Sequence, residues 1–253
     1  MVSRPGHVIA GATGIILAAG LGSRLALDGA KYLKPLLPLA GRPLIHRGID
    51  SLVAAGCTKI VIVIGHEANE VRRCVLNKPV DGIELVLEVN PNYRLANGVS
   101  LLAARRHIHG RFILIMADHL VDRSIMELAG SHEPEASGAT LLVDSKIDSI
   151  FNLDDATKVQ AKDGRILDIG KSISRYNCID TGVFVCSPRI FDSLAAIFAN
   201  SGDVSISDAA SELAGLGTMN ALEVGDSRWQ DIDDLAMFAE AEKALATGTI
   251  ISV

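Results

Sequence analysis

The chain has 253 residues, 49% of them hydrophobic and 21% charged, which is enough apolar matter for a large core in a single α/β domain. Its formal net charge is -6, with Lys and Arg scattered along it, so a nucleic-acid backbone finds no electrostatic footprint and any phosphate must be met by a few local cations. Cys57, Cys74, Cys178 and Cys186 form no CxxC pair and sit among apolar neighbours, which reads as buried free thiols of a reducing cytoplasm and makes zinc a poor candidate.

Met1 to about Thr13 reads as a flexible leader. Its basic start and apolar stretch have the outline of a secretory signal, but Gly11 and Gly14 interrupt the run, which leads straight into a polar loop. No stretch approaches the roughly 18 uninterrupted apolar residues of a membrane span.

From Gly14 onward, strand-length apolar runs alternate with helical patterns: GIILAA, PLIHRGIDSLVAAG, KIVIVIG, NEVRRCVL, IELVLEV, NGVSLLAARRHI and RFILIMAD. Continuous Val/Ile/Leu runs between amphipathic helices predict a Rossmann-like α/β fold, a mostly parallel sheet covered on both faces. Ligands of such sheets sit beyond the carboxyl ends of the strands. From about residue 139 the rhythm turns strand-rich: ATLLVD, TKVQAKDGRILDIG with Lys162-Asp163-Gly164 as a hairpin turn, and YNCIDTGVFVCS. This stretch, about 139–187, is expected to form a small acceptor or lid lobe on one continuous domain, residues 14–253. Helices return in PRIFDSLAAIFAN, with Pro188 in its first turn, and in SISDAASELAGLG. MNALEVG is a further strand, and an Ala/Glu-rich helix to about Thr247 closes the chain.

Gly20-Leu21-Gly22 follows the first strand, but the third glycine of a dinucleotide fingerprint is replaced by Leu25 and no helix opens there. Gly170-Lys171-Ser172 has the tail of a P-loop, yet its leading glycine position holds Arg165. What remains at the first strand is a glycine turn whose N–H groups can approach a polyphosphate, with Arg24 as a planar fork and a downstream lysine as a point cation. On this stretch alone, a plain loop with a chance arginine is an equal alternative. Asn97, Gly98 and Ser100 stand at a helix start, where Asn97 serves as an N-cap, a ligand contact, or both. Asp118 directly follows an apolar strand, well placed to hold a metal on phosphate oxygens. Asp231 and Asp233 alternate along an extended segment, so both point one way and repel unless a cation lies between them. Asp122 and Asp234 are the helix-capping acids, and Trp229, the only tryptophan, is given to packing. His119 carries no assigned role.

LAAGLGSRL followed by KPLLPLAGRPLI resembles the two-part signature of the nucleotidyltransferases that join a nucleoside triphosphate to a sugar phosphate or alcohol phosphate and release pyrophosphate. NGVSLL, MADH and YNCIDTGVF bring the chain nearest to the CTP:inositol-1-phosphate cytidylyltransferases. The resemblance covers the chain beyond the leader and implies the nucleotide-diphospho-sugar transferase fold, CTP and inositol 1-phosphate as substrates, and Mg²⁺ as cofactor. It implies nucleotide contacts from Leu17, Ala18, Ala19, Gly20, Gly22, Ser23, Asn97, Gly98 and Ser100, and metal ligands Asp118, Asp231 and Asp233. Arg24 would meet the β- and γ-phosphates. Lys34, seven residues before Gly41 as the signature lysine is, would meet the α/β region in preference to Lys31. Lys171 is a candidate for the acceptor phosphate and Asp180 for its hydroxyls, with a solvated lysine and a turn hydrogen bond as the plain alternatives. In that family the domain often comes fused to a membrane-embedded transferase that consumes the CDP-inositol. One domain is seen here, which keeps sugar phosphates, choline phosphate and phosphonates open as acceptors. A nucleotide-sensing module without catalysis is the rival class; a complete set of Arg24, Lys34, Asp118, Asp231 and Asp233 speaks against it.

Overall fold

A computed structural model describes residues 11–21, 26–27, 30–136 and 138–252. Strand β1 (Thr13–Ala18) is followed by two minimal hairpins, β2 (Ala26–Leu27) with β3 (Ala30–Lys31) and β4 (Pro38–Leu39) with β5 (Arg42–Pro43). Helix α1 (Leu44–Ala54), β6 (Lys59–Ile64), α2 (Ala68–Leu76), β7 (Glu84–Val89), α3 (Asn97–Ala103) and β8 (Phe112–Met116) then repeat the strand–helix rhythm. The short β9 (His119–Val121) leads into α4 (Arg123–Ser131). The strand-rich middle comprises β10 (Ala139–Asp144), β11 (Lys158–Lys162), β12 (Arg165–Gly170) and β13 (Cys178–Cys186). Helices α5 (Ile190–Ser201) and α6 (Ile206–Gly215), strands β14 (Met219–Glu223) and β15 (Trp229–Asp231), and helix α7 (Leu235–Ala246) complete the fold.

Nine strands form one sheet in the order β10-β14-β12-β11-β13-β8-β1-β6-β7. The segment β8-β1-β6-β7 is parallel throughout, as the unbroken apolar runs require. From β1 the chain moves outward through β6 and β7, then crosses back to place β8 on the other flank of β1. The carboxyl ends of β1 and β8 therefore border the crevice at which an open α/β sheet binds its ligands. Beyond β8 the sheet is mixed. Strand β13 runs antiparallel to β8 and carries β10 and β11 on its far side, so the strand-rich stretch prolongs the main sheet.

Side chains alternate between the two faces. Ile15, Leu17, Val61 and Val63 pack under α3, α5 and α6, whereas Ile16, Ile60, Ile62 and Ile64 pack under α1, α2 and α4. Each such aliphatic, removed from water, contributes about 1.5–3 kcal/mol. A smaller cluster joins Leu37, Leu39 and Leu44 to Leu120, Ile232 and Phe238, and so holds α7 and the segment after the short helical turn Lys34–Leu36 against β9. The free thiols are Cys57, Cys178 and Cys186, all buried, and the half-buried Cys74.

Local signals settle several boundaries. Asp163 and Gly164 both have positive φ, at 51° and 75°, which is the primed two-residue turn whose twist suits a hairpin. Asp234 caps α7 by accepting a hydrogen bond from the Met237 N–H at 2.8 Å. Two assignments change. Asp122 stands at the start of α4 but caps nothing with its side chain; its carboxylate instead accepts from Arg228 N at 2.7 Å and Ile251 N at 2.6 Å, tying the approach to β15 and the chain's end to α4. Pro188 lies ahead of α5, whose N-cap is Arg189, because two tight turns precede the helix.

Candidate active site

A cavity of about 540 Å³ opens at the carboxyl ends of β1 and β8. Leu17 and Ala18 close β1 there and Ala19, Gly20 and Leu21 continue along its wall, while Met116, Ala117 and Asp118 leave the neighbouring β8 beside them. Gly22, Ser23 and Arg24, expected to touch the triphosphate, lie outside the described residues. Lys34, Asn97, Ser100, Lys171, Asp180, Asp231 and Asp233 all reach the cavity.

Gly98 does not. An added Cβ there would sit 2.6 Å from the Val204 carbonyl and 2.8 Å from Leu194, so this glycine lets α3 close against α5 and α6. Asn97 is the first residue of α3, with Ala96 at its N-cap. Its Oδ1 accepts from the Ile206 N–H at 2.9 Å, a bridge to the start of α6, and it is therefore not the cap. Ser100 is buried and its Oγ accepts from Asn90 Nδ2 at 2.9 Å.

The acidic residues converge through a small ladder. Strands β9 and β15 pair antiparallel with His119 opposite Asp231, and the Ile232 N–H donates to the Asp118 carbonyl at 3.0 Å. This backbone pairing brings together acids more than a hundred positions apart in the chain. Lys34 Nζ lies 2.6 Å from Asp118 Oδ2 and also ion-pairs with Asp233. Lys34, expected to meet the triphosphate, here bridges two of the carboxylates expected to hold the metal. Burial opposes the charge on Lys34, but Asp118 and Asp233 outweigh it and raise its pKa. Burial likewise opposes ionisation of Asp118, yet its bond with His119 and the charge of Lys34 hold its carboxyl well below the usual carboxylate range. Asp231 is shifted the other way: burial raises it, and Asp233 and Asp118 add repulsion that His119 only partly offsets.

His119 donates from Nδ1 to Asp118 Oδ1 at 2.8 Å, and burial, which disfavours its charge, is outweighed by Asp118, Asp231 and Asp180. Asp180, on β13, has its carboxyl pushed up to about 6 by burial, against the N–H of Gly182, which donates to it at 2.7 Å, and the nearby His119. Its turn hydrogen bond and its place in the cavity wall thus coexist. Lys171 forms an ion pair with Asp155 at 2.7 Å, both partners being well exposed at the rim.

Sequence reasoning passed over Asn152, Asp155 and Thr157, which also line the cavity. They belong to the irregular connection between β10 and β11, where no periodicity announces a site. For His119 a signal existed, its adjacency to Asp118. Among the described residues, no group of three or more His, Cys, Asp or Glu side chains is drawn together closely enough to hold a metal by itself. Nor is any described helix long and apolar enough to cross a membrane.

Comparison with known proteins agrees with this architecture. The "Bifunctional IPC transferase and DIPP synthase" of Aquifex aeolicus (strain VF5) is 31% identical over 241 residues, 95% of this chain and 53% of that protein. Its namesake from Rubrobacter xylanophilus is 32% identical over 231 residues, 86% of this chain and 48% of that protein. The chain thus spans about half the length of these curated relatives. The solved inositol-1-phosphate CTP transferase from T. maritima superposes with a TM-score of 0.81 at 27% identity, over 97% of this chain and 100% of that one. A UDP-glucose pyrophosphorylase complexed with UDP-glucose, at 17% identity, shares the fold with a TM-score of 0.73, over 94% of this chain and 99% of that one. A family match runs over residues 14–212, from the opening strand into α6 and short of Asp231 and Asp233, and by it the chain belongs to the MobA-like NTP transferase domain family.

Proposed function

We propose that this chain is a cytidylyltransferase that condenses CTP with inositol 1-phosphate, giving CDP-inositol and pyrophosphate. The observation that carries the reading is the convergence of Asp118, Asp231, Asp233 and Lys34 at the carboxyl ends of β1 and β8, lining one cavity with Ala19 and Gly20. The reaction joins two polyanions. An ionised oxygen of the acceptor phosphate attacks the α-phosphorus in line, the bond to the β-phosphate oxygen breaks, and pyrophosphate leaves opposite. No covalent enzyme intermediate and no general base are required, so the protein's task is positioning and charge stabilisation.

In this reading the β1 end and Gly20 admit the triphosphate, and Asn97 and Ser100 bound the nucleoside end of the cavity. Gly22, Ser23 and Arg24 are assigned to the phosphates. Lys34 releases its two carboxylates and turns its ammonium to the α/β region. Lys171 exchanges Asp155 for the acceptor phosphate. Asp118, Asp231 and Asp233 suit Mg²⁺: their hard oxygen donors match the ion's preference, and the repulsion around Asp231 favours an added cation. Mg²⁺, when bound, supplies neutralisation of charge on the phosphate oxygens. The acceptor end is lined by Asn152, Asp155, Thr157 and Asp180, groups that hydrogen-bond polyol hydroxyls. The cytoplasm is the proposed compartment, supported by the free cysteines, and a membrane-bound transferase is the proposed consumer of the product.

Pyrophosphate release measured across CTP, UTP, GTP and ATP, each with inositol, sugar, choline and phosphonate acceptors, tests the reading. Turnover is expected with CTP and inositol 1-phosphate. A preference for another pair reassigns the substrates, and thermal stabilisation by CTP without turnover in any pairing would favour the sensing module.

A further inference from the structure

We propose that His119 is a positioning residue that aims the outward oxygen of Asp118 at the cation site; the inference rests on the metal-assisted reading above. Asp118 has two oxygens with different partners. Oδ1 accepts from His119 Nδ1 at 2.8 Å, and Oδ2 is turned to the cation side, where Lys34 Nζ meets it at 2.6 Å. Tying down one oxygen removes the carboxylate's freedom to rotate and leaves a single oxygen presented to a cation.

The imidazole is itself held from three directions. Its backbone is clamped in β9 opposite Asp231 of β15. One ring face lies nearly parallel to the Trp229 indole, with centroids 6.0 Å apart and planes at 7°. That indole is anchored in turn, since its Nε1–H donates to Asp144 Oδ2 at 3.0 Å. On β13, Gly182 has φ +75°, and a Cβ there would stand 2.6 Å from both Cδ2 and Nε2 of the ring. The glycine leaves room for the imidazole, and no larger residue can occupy the position without moving it. The chain of contacts runs from Asp144 through Trp229 and His119 to Asp118. Tryptophan, glycine and histidine thus share one task. Outer partners that orient metal-binding carboxylates are worth about 10- to 100-fold in metal affinity or activity.

The test compares His119→Asn, His119→Gln and His119→Leu, with Mn²⁺ as a spectroscopic probe. Asparagine places an N–H near the position of Nδ1, glutamine carries its N–H one bond farther out, and leucine has none. Mn²⁺ binding in the presence of CTP is read by electron paramagnetic resonance, alongside the Mg²⁺ activation constant and thermal stability. His119→Leu and His119→Gln are expected to weaken Mn²⁺ binding by about 10- to 100-fold, and His119→Asn to restore most of it. Gly182→Ala, which displaces the ring without removing it, is expected to weaken binding in the same direction. Should the leucine variant not fold, the Asn–Gln comparison decides. Equal Mn²⁺ affinity in wild type and His119→Leu, or no advantage of Asn over Gln, overturns the assignment while leaving the metal reading intact. Wild-type protein that binds no Mn²⁺ with CTP, or an Asp118→Asn variant that binds it undiminished, overturns the metal reading and this inference with it.

Discussion

Lys34 stands between Asp118 and Asp233 as their counter-cation, a position it must surrender to reach a triphosphate. Two measurable effects follow from replacing it by methionine. Turnover is expected to fall by about 10²- to 10³-fold, the loss typical of one preorganised charge-stabilising group. Mn²⁺ affinity of the nucleotide-free protein is expected to rise, because a competing cation has gone; titration calorimetry reads this, and an unchanged affinity would remove Lys34 from the cation site. Asp180 makes a pH-dependent prediction. Its folded-state pKa is about 6, above the ordinary value, so its ionisation costs stability: the penalty is absent below the unfolded value near 4 and complete once pH has risen through 6. Asp180→Asn keeps an acceptor for the Gly182 N–H and cannot ionise. The variant is expected to melt above wild type at pH 7.5, with the advantage shrinking as pH falls from 6 towards 4. A difference independent of pH would assign the effect to something other than that carboxylate.

Elements meet at the cavity through close backbone approach. Helix α3 reaches the α5–α6 junction only because position 98 has no side chain, and Asn97 then bonds to the first turn of α6. Gly98→Ala is expected to lose about 1–3 kcal/mol through overpacking, read as a lowered denaturation midpoint at unchanged m-value, and to raise the KM for nucleotide as Asn97 and Ser100 shift. Helix ends show which local signals are legible. The hairpin at Asp163-Gly164 and the cap at Asp234 were readable because each is satisfied within a few residues of itself. Asp122 and Asn97 carry the same kind of capping side chain, yet their partners, Arg228 and Ile251 for one and Ile206 for the other, come from remote parts of the chain. Propensity alone cannot distinguish an acceptor used locally from one used at a distance.

At the scale of the molecule, β1 and β8 form one wall while the β9–β15 ladder carries the acids to it, so the proposed nucleotide and cation would share one cavity. Mg²⁺ with CTP at a hundredfold its dissociation constant is expected to stabilise the protein by about 2.7 kcal/mol, a rise of about 2–4 °C per kcal/mol for a chain of this size. ATP and GTP are expected to give smaller shifts at equal concentration, and equal shifts would remove base selection from this cavity. The amino-acid order by itself determined the strand–helix alternation, the parallel core and the family signature around the glycine turn, because burial periodicity and local turn chemistry are written in neighbouring positions. Only the tertiary structure decided that Lys34 bridges Asp118 and Asp233, that Gly98 serves packing, that the β10–β11 connection lines the cavity, and that His119 grips Asp118 beneath Trp229. Those relations join residues through pairings of β9 with β15 and α3 with α6, and a contact between distant segments has no signature in either segment alone.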